Sequence, residues 1–430
     1  MLQKTTLYVI ERLVTIFTGL AAFVILARVF GPTQVGSLSI VQAASAALIF
    51  LVTLGLDRFI VKSLVETPEC SSQIIFTVAI IRFGGWLLYS TGLYVTVLWI
   101  GQTPELLIIA AIEAVTVLMV HLISLKCQFE AKGKAKELAF SLIVSRCIGF
   151  LYLIISAYYS WSFVMTCIFL PLQSFVRLIY LFFIFVKSKE EHVPPKFSSA
   201  WARKHLRLAA PLMLSSAVFP LFMQMDVLMI AHFYGEHEAG LYSGPMKIIT
   251  QVGFLGVAIM SAFFPVLVEK HESDKSSFDE LVSVLGKALF LFSISAAAIL
   301  LVFSGGIIEV LFGSEYEPAK LVMMILSPIA VFLISSKLYS SLMIIYGVAR
   351  YELPKALLAV ALNIGLNLML IPAYSINGAA IASLISYFIA DFLFYFLVSR
   401  LSCVAGVIRA SMYSLANPIS TATNILKVKF

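Results

Sequence analysis

Two stretches of the chain, 204 residues apart, share one pattern and decide the fold. Residues 27–39 read ARVFGPTQVGSLS, and residues 231–243 read AHFYGEHEAGLYS. The first alanine, both glycines and the final serine are identical, and Phe and Val of the first stretch align with Tyr and Ala of the second. Self-similarity at a fixed offset indicates a repeated structural unit. We therefore expect two equivalent halves, with each stretch at the same place in its half.

The composition assigns these halves to a membrane. Of the 430 residues, 61% are hydrophobic and only 12% are charged, and the mean hydropathy is +1.00. A soluble domain is about half apolar and about a quarter charged. One bilayer crossing needs roughly 20 apolar residues, so the chain has room for about twelve crossings and no soluble catalytic domain. We predict an all-α integral membrane protein.

A hydropathy window predicts twelve transmembrane helices, six in each half. They cover residues 7–30, 36–56, 74–100, 106–125, 138–159, 162–186, 208–233, 242–268, 281–312, 321–346, 354–372 and 379–398. Residues 1–186 then form an N-terminal six-helix lobe, 187–207 a cytoplasmic linker, 208–398 a C-terminal six-helix lobe and 399–430 a cytoplasmic tail. Six crossings preserve orientation, so the two lobes are expected to be parallel pseudo-symmetric repeats around a central cavity.

The loop charges support an even number of crossings, with both termini in the cytoplasm. Nearly all Lys and Arg between the predicted helices lie on one side, including Arg350 and Lys355, and only Arg28 and Lys320 lie on the other. Such an asymmetry marks the cytoplasmic side and would be lost if one crossing were miscounted. It also accounts for the net charge of +7, so nucleic acid is not an expected partner.

Five cations fall inside predicted helices and are candidates for binding substrate. A charge at the bilayer centre costs about 2.5–3.5 kcal/mol, so it should face a cavity, a partner or an interface. In a cavity these cations would bind an anion through charge-assisted hydrogen bonds. The alternative is a long side chain that reaches lipid phosphates, and for Arg28, at a helix end, a structural role. The residues are Arg82, Arg146, Arg177, Lys247 and Lys337, and Arg28 joins the candidates for substrate binding.

Acidic and amide side chains inside the helices suggest further roles. Asp226 and Glu113 are candidates for H⁺ or Na⁺ coupling, because burial and a nearby cation shift the pKa of a carboxyl group in opposite directions. A fixed salt bridge is the alternative. Asn363 and Asn367 are four residues apart on one helix face, where they would bond either sugar hydroxyls in a polar cavity or a neighbouring helix. Five widely spaced cysteines indicate no metal site.

Five stretches together resemble the polysaccharide and O-antigen flippase family (Wzx type) of the multidrug/oligosaccharidyl-lipid/polysaccharide exporter superfamily. They are residues 226–235 with 240–243; 27–32 with Gly36; 311–313 with Tyr316, Pro318 and Ala319; Asn363 and Asn367 with 371–372; and 376–383. The resemblance implies the two-lobed fold of that superfamily, which its multidrug exporters share. It also implies a flippase that moves undecaprenyl-diphosphate-linked oligosaccharide, such as an O-antigen repeat, across the bacterial inner membrane by alternating access.

Other functions remain open at this level. A multidrug/cation antiporter of the same superfamily would prefer an acidic or aromatic cavity, and a peptidoglycan-precursor flippase of the family usually has two more crossings. A membrane polymerase or glycosyltransferase would need a large outer loop or an acidic catalytic motif. No zinc-protease motif, ATP-binding loop or dinucleotide fingerprint occurs. We therefore expect a transporter without ATP or another cofactor, whose partners are lipid-linked oligosaccharide, membrane lipids and polysaccharide polymerase or chain-length proteins.

Overall fold

The computed structural model describes residues 2–101, 103–121, 124–187 and 196–413. Within these ranges the chain is helical nearly throughout and contains no strand. It divides into two compact units, Met1–Gly240 and Leu241–Phe430. This boundary lies beyond the predicted linker, so the whole of the first long helix after the linker belongs to the first unit.

The described residues of the first unit form ten α-helices, six of which are long. They are α1 (Leu2–Leu48), α2 (Phe50–Thr53), α3 (Asp57–Glu66), α4 (Ser71–Ile100), α5 (Pro104–His121), α6 (Leu125–Ala131), α7 (Ala135–Tyr158), α8 (Phe163–Cys167), α9 (Phe169–Lys187) and α10 (Ser199–Tyr234). Helices α7 and α9 pack together, and α1 packs against α7 and α10. Residues 188–195 of the predicted linker lie outside the described residues, and residues 199–207 already form the start of α10.

The second unit is built on the same principle of long apolar helices joined by short breaks. It contains α11 (Glu236–Ser273, which starts in the first unit), α12 (Lys275–Val302), α13 (Ser304–Phe312), α14 (Ala319–Leu326), α15 (Ile329–Ile345), α16 (Glu352–Phe388), a π-helical turn (Ile389–Leu393), α17 (Phe394–Leu397) and α18 (Ser402–Met412). Buried apolar residues of α11, α12, α15 and α18 form a core in this unit. Within the predicted tail, α18 packs into this core, and residues 414–430 lie outside the described residues.

Ten helical stretches of the described chain are long and apolar enough to cross a membrane, by length and composition. Two of them, Ile10–Glu66 and Ala349–Leu397, contain 57 and 49 residues. Each is more than twice the length of one crossing and covers two of the predicted transmembrane helices. The ten stretches are therefore consistent with the predicted twelve. The overlong prediction at 281–312 is divided in the structure, where α12 ends and α13 begins at Phe303.

The repeated sequence produces a repeated backbone break. Gly31 interrupts α1 with φ 75° and ψ 179°, and its equivalent Gly235 ends α10 with φ 85° and ψ −166°. Only glycine adopts these angles without strain, because any Cβ would clash with the backbone. Pro32 follows Gly31 at the first position of a new helical segment. Proline suits this position, because the backbone N–H that it lacks would have no partner within the helix. The two breaks therefore end equivalent helices at equivalent residues.

The segments that follow these breaks contact each other symmetrically inside the first unit. A Cβ added to Gly36 would overlap the carbonyl oxygen of Glu236, and one added to Gly240 would overlap that of Pro32. Equivalent side chains also meet, because Thr33 Oγ1 lies 3.1 Å from His237 Nδ1. The two stretches share the same spacing between their glycines. This spacing has a physical role, because it lets the backbones of the two segments come into direct contact.

Side chains around this contact hold the ends of several helices together. The Glu236 carboxylate accepts hydrogen bonds from Ser37 Oγ and, at 2.9 Å, from Thr103 Oγ1. One turn before Gly235, the ring of His232 stacks on Trp99 with 4.1 Å between the ring centroids. Glu236 and the adjacent rings therefore connect α1, the end of α4, the start of α5 and the junction of α10 with α11.

Candidate functional site: a cationic cavity in the first unit

A cavity of about 280 Å³ lies within the first unit, and three predicted cations line it. Arg82 is on α4, Arg146 on α7 and Arg177 on α9. Sequence separation gives no indication that these three residues share one cavity, because they are on three different helices. Packing of α7 against α9 and of α4 against α5 brings them together.

Contacts from three segments hold Arg82 in the cavity wall. Its side chain is only 3% exposed. One terminal nitrogen donates to Ser124 Oγ at 2.8 Å and to the His121 carbonyl oxygen at 3.3 Å. The other forms an ion pair with Asp57, at the start of α3. Burying a guanidinium is tolerable only with such partners, so these contacts offset its burial and orient the side chain.

Arg146 and Arg177 line the cavity from α7 and α9. Arg146 Nη1 donates to Gln173 Oε1 at 3.2 Å. Gln173 fits there because position 149, one turn beyond Arg146, is glycine, and any Cβ on it would overlap the Gln173 side chain. Gln173 and Arg177 are four residues apart on α9 and therefore share a helix face. The wall thus combines two guanidinium groups with one amide.

The cavity has an excess of positive charge and unused donors. Among its lining residues, four carry a positive charge and one, Asp57, a negative charge; the fourth cation is Lys126. The Nε atoms of Arg82 and Arg177 are buried and have no hydrogen-bond partner among the described residues. A buried donor without an acceptor costs about 1–3 kcal/mol. An anion with several oxygens would satisfy these donors and balance the charge.

Arg28 and Lys247 do not belong to this cavity. Arg28 is exposed on α1, one turn before the break at Gly31, and it is not among the residues that line the cavity. Lys247 is half-buried on α11 in the second unit. Their proposed contact with substrate therefore remains a prediction that the cavity geometry does not support. Lys337, on α15, is likewise half-buried in the second unit.

Glu113, a candidate for ion coupling, lies on α5 at the end of a hydrogen-bonded chain. Ser45 Oγ donates to its Oε1 at 2.9 Å, and the buried Tyr89 hydroxyl donates to Ser45 Oγ at 2.7 Å. Asp226, the other candidate, is 1% exposed on α10. Asp226 is thus buried and Glu113 is half-buried, and their role in ion coupling stays a prediction.

Asn363 and Asn367 are fully buried on α16 in the second unit. Asn367 Nδ2 donates to Asn363 Oδ1 at 3.1 Å, and Asn363 Nδ2 donates to Ser383 Oγ at 3.3 Å. Ser383 lies beyond the break in α16 at Ser375, where φ is 51° and ψ is −135°. The amides therefore join the two halves of α16, which is the interhelical alternative considered above, and the binding of sugar hydroxyls stays a prediction.

One charged cluster escaped the sequence analysis. Lys355, counted above with the cytoplasmic loops, is buried in the first turn of α16. Its ammonium group lies 3.2 Å from Asp391 and 3.0 Å from Glu352, and it donates to the Tyr395 hydroxyl at 3.1 Å. Its position next to a predicted helix end concealed it, because hydropathy does not show which face of a first turn is covered.

The cavity also contains polar residues that the sequence analysis did not select. Gln173 carried a usable signal, namely its spacing of four from Arg177 on an otherwise apolar helix. Asp57 and Ser124 carried none, since each lies at a helix boundary far from Arg82 in sequence.

Comparison with known proteins identifies what this chain is similar to. The family model described as "Polysaccharide biosynthesis protein" matches residues 1–271. The capsular polysaccharide biosynthesis protein CapF of Staphylococcus aureus is 26% identical over 198 residues, which is 45% of this chain and 49% of the relative. The probable low-salt glycan biosynthesis flippase Agl15 of Haloferax volcanii is 28% identical over 173 residues, 38% of this chain and 35% of the relative. The alignments thus span half or less of these relatives' length.

Solved structures share the fold over almost the whole chain. The lipid II flippase MurJ, in an inward closed conformation, aligns with a TM-score of 0.70 and 16% identity, covering 99% of this chain and 96% of MurJ. An inward-facing multidrug transporter of the MATE family aligns with a TM-score of 0.69 and 13% identity, covering 91% of this chain and 95% of the transporter. At these identities the likeness shows the fold alone. It confirms the fold class predicted from the sequence.

Proposed function

The chain belongs to the polysaccharide biosynthesis protein family, and on that premise we propose that it is a flippase for lipid-linked oligosaccharide. Its substrate would be an undecaprenyl-diphosphate-linked oligosaccharide, moved across the bacterial inner membrane with both termini of the protein in the cytoplasm. The family, the fold and the multi-pass helices support a membrane transporter rather than an enzyme. The cationic cavity supports the choice of an anionic substrate.

The cavity suits a diphosphate by charge and by donor geometry. Arginine offers a planar fork that bonds two oxygens of one phosphate. Hydrogen bonds to charged groups contribute about 1.5–3 kcal/mol each, and here they would replace part of the hydration that the diphosphate loses. The polyprenyl chain would stay in the lipid, so only the polar part of the substrate would need a path past hydrocarbon. A cationic drug would be repelled by the same residues.

Transport in one direction also needs a source of free energy. Binding that is equal on the two sides shifts no conformational equilibrium. We propose that Glu113 and Asp226 bind H⁺ or Na⁺ as the protein alternates between its two open states, without ATP. The hydrogen-bonded chain from Tyr89 through Ser45 to Glu113 supports this role, because it connects the Glu113 carboxyl group to two hydroxyl groups within the first unit.

A reconstitution assay tests the substrate. Purified protein in liposomes is given a short undecaprenyl-diphosphate oligosaccharide, and an impermeant glycosidase on the opposite side reports how fast the glycan appears there. The double variant Arg146→Gln and Arg177→Gln should slow exposure at least tenfold, because two charged hydrogen bonds are lost. The matched control Arg350→Gln with Arg400→Gln removes two exposed arginines and should leave the rate unchanged.

Two outcomes would contradict the proposal. If wild type and cavity variant expose the glycan at the same rate, the cavity does not bind the substrate. If the wild type instead drives proton-coupled efflux of a cationic dye and exposes no glycan, the protein is an antiporter. Coupling is tested separately with Glu113→Gln, which should abolish the dependence of the initial rate on an imposed proton gradient while leaving exchange at equilibrium.

A further inference from the structure

The start of α10 carries a basic face that neither the cavity nor the proposed transport uses. Residues 199–208 place Arg203, Lys204 and Arg207 on the outside of the first unit, all exposed. With Ser199, Ala200 and Leu208 they form two adjacent rows of residues spaced four apart, which is one continuous helix face. We call this surface the α10 basic face.

The basic face has no countercharge. Residues 196–225 contain no Asp or Glu. None of Arg203, Lys204 and Arg207 forms an ion pair with any residue that the structure describes. Three neighbouring cations on one helix repel each other, so a bound anion would stabilise this segment.

The opposite side of the same helix is anchored, which fixes the direction in which the cations point. Trp201 Nε1 donates to Ser63 Oγ of α3 at 3.2 Å, and His205 Nε2 lies 3.4 Å from the same hydroxyl. The backbone N–H of Ser198 donates to Thr77 Oγ1 of α4 at 2.9 Å. Ala202 and Ala209 are buried on this inner side. The helix therefore cannot turn its cations inward without breaking these contacts.

The same face becomes apolar further along the helix. Leu208 is 52% exposed and Phe219 is 56% exposed. They are eleven residues apart, about three turns, and hence on the same side of α10. At 1.5 Å per residue, Phe219 lies about 18 Å beyond Arg207, close to the roughly 15 Å depth of one leaflet's hydrocarbon. Three cations followed by two exposed apolar side chains, one adjacent and one about 18 Å further along, match a phospholipid, with its headgroup first and its acyl chains after.

The geometry points to a binding site for an anionic phospholipid of the cytoplasmic leaflet, with the headgroup phosphate at Arg203, Lys204 and Arg207 and the acyl chains along Leu208 and Phe219. Basic residues at the membrane surface attract such headgroups. Guanidinium groups supply paired donors for phosphate oxygens. The site is separate from the cationic cavity, so it holds whether or not the cavity binds a diphosphate.

Binding of labelled lipid to the full-length protein in neutral detergent tests the site. Fluorescent phosphatidylglycerol is titrated at low salt, and its anisotropy gives the half-saturation concentration, with phosphatidylcholine as the uncharged probe. The variant Arg203→Gln, Lys204→Gln, Arg207→Gln should weaken phosphatidylglycerol binding at least tenfold, given about fivefold per cation near a charged membrane surface. The matched control Lys132→Gln, Lys134→Gln, Lys136→Gln removes three cations elsewhere and should change binding less than twofold.

A conservative variant guards against loss of folding. Arg203→Lys with Arg207→Lys keeps the charge and should retain binding within a few-fold. Equal weakening by both triple variants would show general charge attraction and overturn the site. Unchanged binding in the basic-face variant would also overturn it. If a short undecaprenyl diphosphate displaces phosphatidylglycerol at a tenfold lower concentration than unlabelled phosphatidylglycerol does, the face is a substrate site and the assignment to phospholipid is wrong.

Discussion

Replacing Gly36 by alanine should weaken the symmetric contact between α1 and the start of α11. The new Cβ would overlap the carbonyl oxygen of Glu236, a backbone atom that cannot rotate away. The two segments must therefore separate, and the hydrogen bond from Ser37 to Glu236 must lengthen with them. Overpacking of this kind costs about 1–3 kcal/mol.

Gly84→Ala is the matched control. Gly84 lies inside α4 with no atom within 4 Å of an added Cβ. There alanine only reduces the conformational freedom of the unfolded chain and should stabilise the helix by about 0.5–1 kcal/mol. Thermal denaturation in detergent, followed by the fluorescence of a thiol-reactive dye at the buried cysteines, should give a lower midpoint for Gly36→Ala than for wild type and an unchanged or higher one for Gly84→Ala.

The equivalent change on the other segment provides the decisive measurement. Gly240→Ala should cost a similar amount, because its Cβ would overlap the carbonyl oxygen of Pro32. The double variant should lose less than the sum of the single losses, since the first substitution already separates the segments and neighbouring changes couple by about 0.5–3 kcal/mol. A midpoint for Gly36→Ala equal to that of Gly84→Ala, or fully additive losses, would refute the reasoning.

Two further predictions concern charged groups in the second unit. Lys355→Met should lower the free energy of unfolding by about 3–5 kcal/mol, because it leaves Asp391 without its cation. Adding Asp391→Leu should restore most of the lost stability. Thermal denaturation that finds the single variant as stable as the double variant would contradict this. Asp274 caps α12 by accepting hydrogen bonds from the Ser277 hydroxyl and from the backbone N–H groups of Ser276 and Ser277, which hold the pKa of its carboxyl below the usual 3.8. The charged cap thus contributes stability above pH 3.8, and this stability is lost as the pH falls through the lower, folded-state pKa. As the pH falls, hydrogen exchange in the first turn of α12 should therefore accelerate relative to the rest of α12 in wild type but not in Asp274→Asn. The same acceleration in both proteins would contradict the prediction.

The sequence predicted the fold because the relevant signals are local. Runs of about 20 apolar residues mark crossings, and the offset repeat marks equivalent positions. The repeat also aligned Gly31 with Gly235, and the structure gives these two glycines nearly the same backbone angles. Helix bounds were less predictable, because an apolar run does not show where a helix bends. The predicted helix at 281–312 is therefore two helices in the structure.

The candidate site was predictable by residue type and not by arrangement. The cost of a charge in lipid selected Arg82, Arg146 and Arg177, which do share one cavity. The same argument selected Lys247, which is in the other unit. Whether two charges on different helices meet depends on helix rotation and tilt, which packing sets. Asn363 and Asn367 illustrate the limit, since their spacing of four is visible in the sequence but their bond to Ser383 is not.

The contact between Gly36 and Gly240 also has a consequence for how the chain is made. The two residues that meet are 204 positions apart, as are Thr33 and His237 beside them. At about 5–20 residues per second, a ribosome needs roughly 10–40 s to synthesise that interval. For this time the segment after Gly31 is in the nascent chain before its partner exists. The first unit is therefore completed late, when the start of α11 has been synthesised, and a translation product that stops at residue 186 contains only one side of the contact.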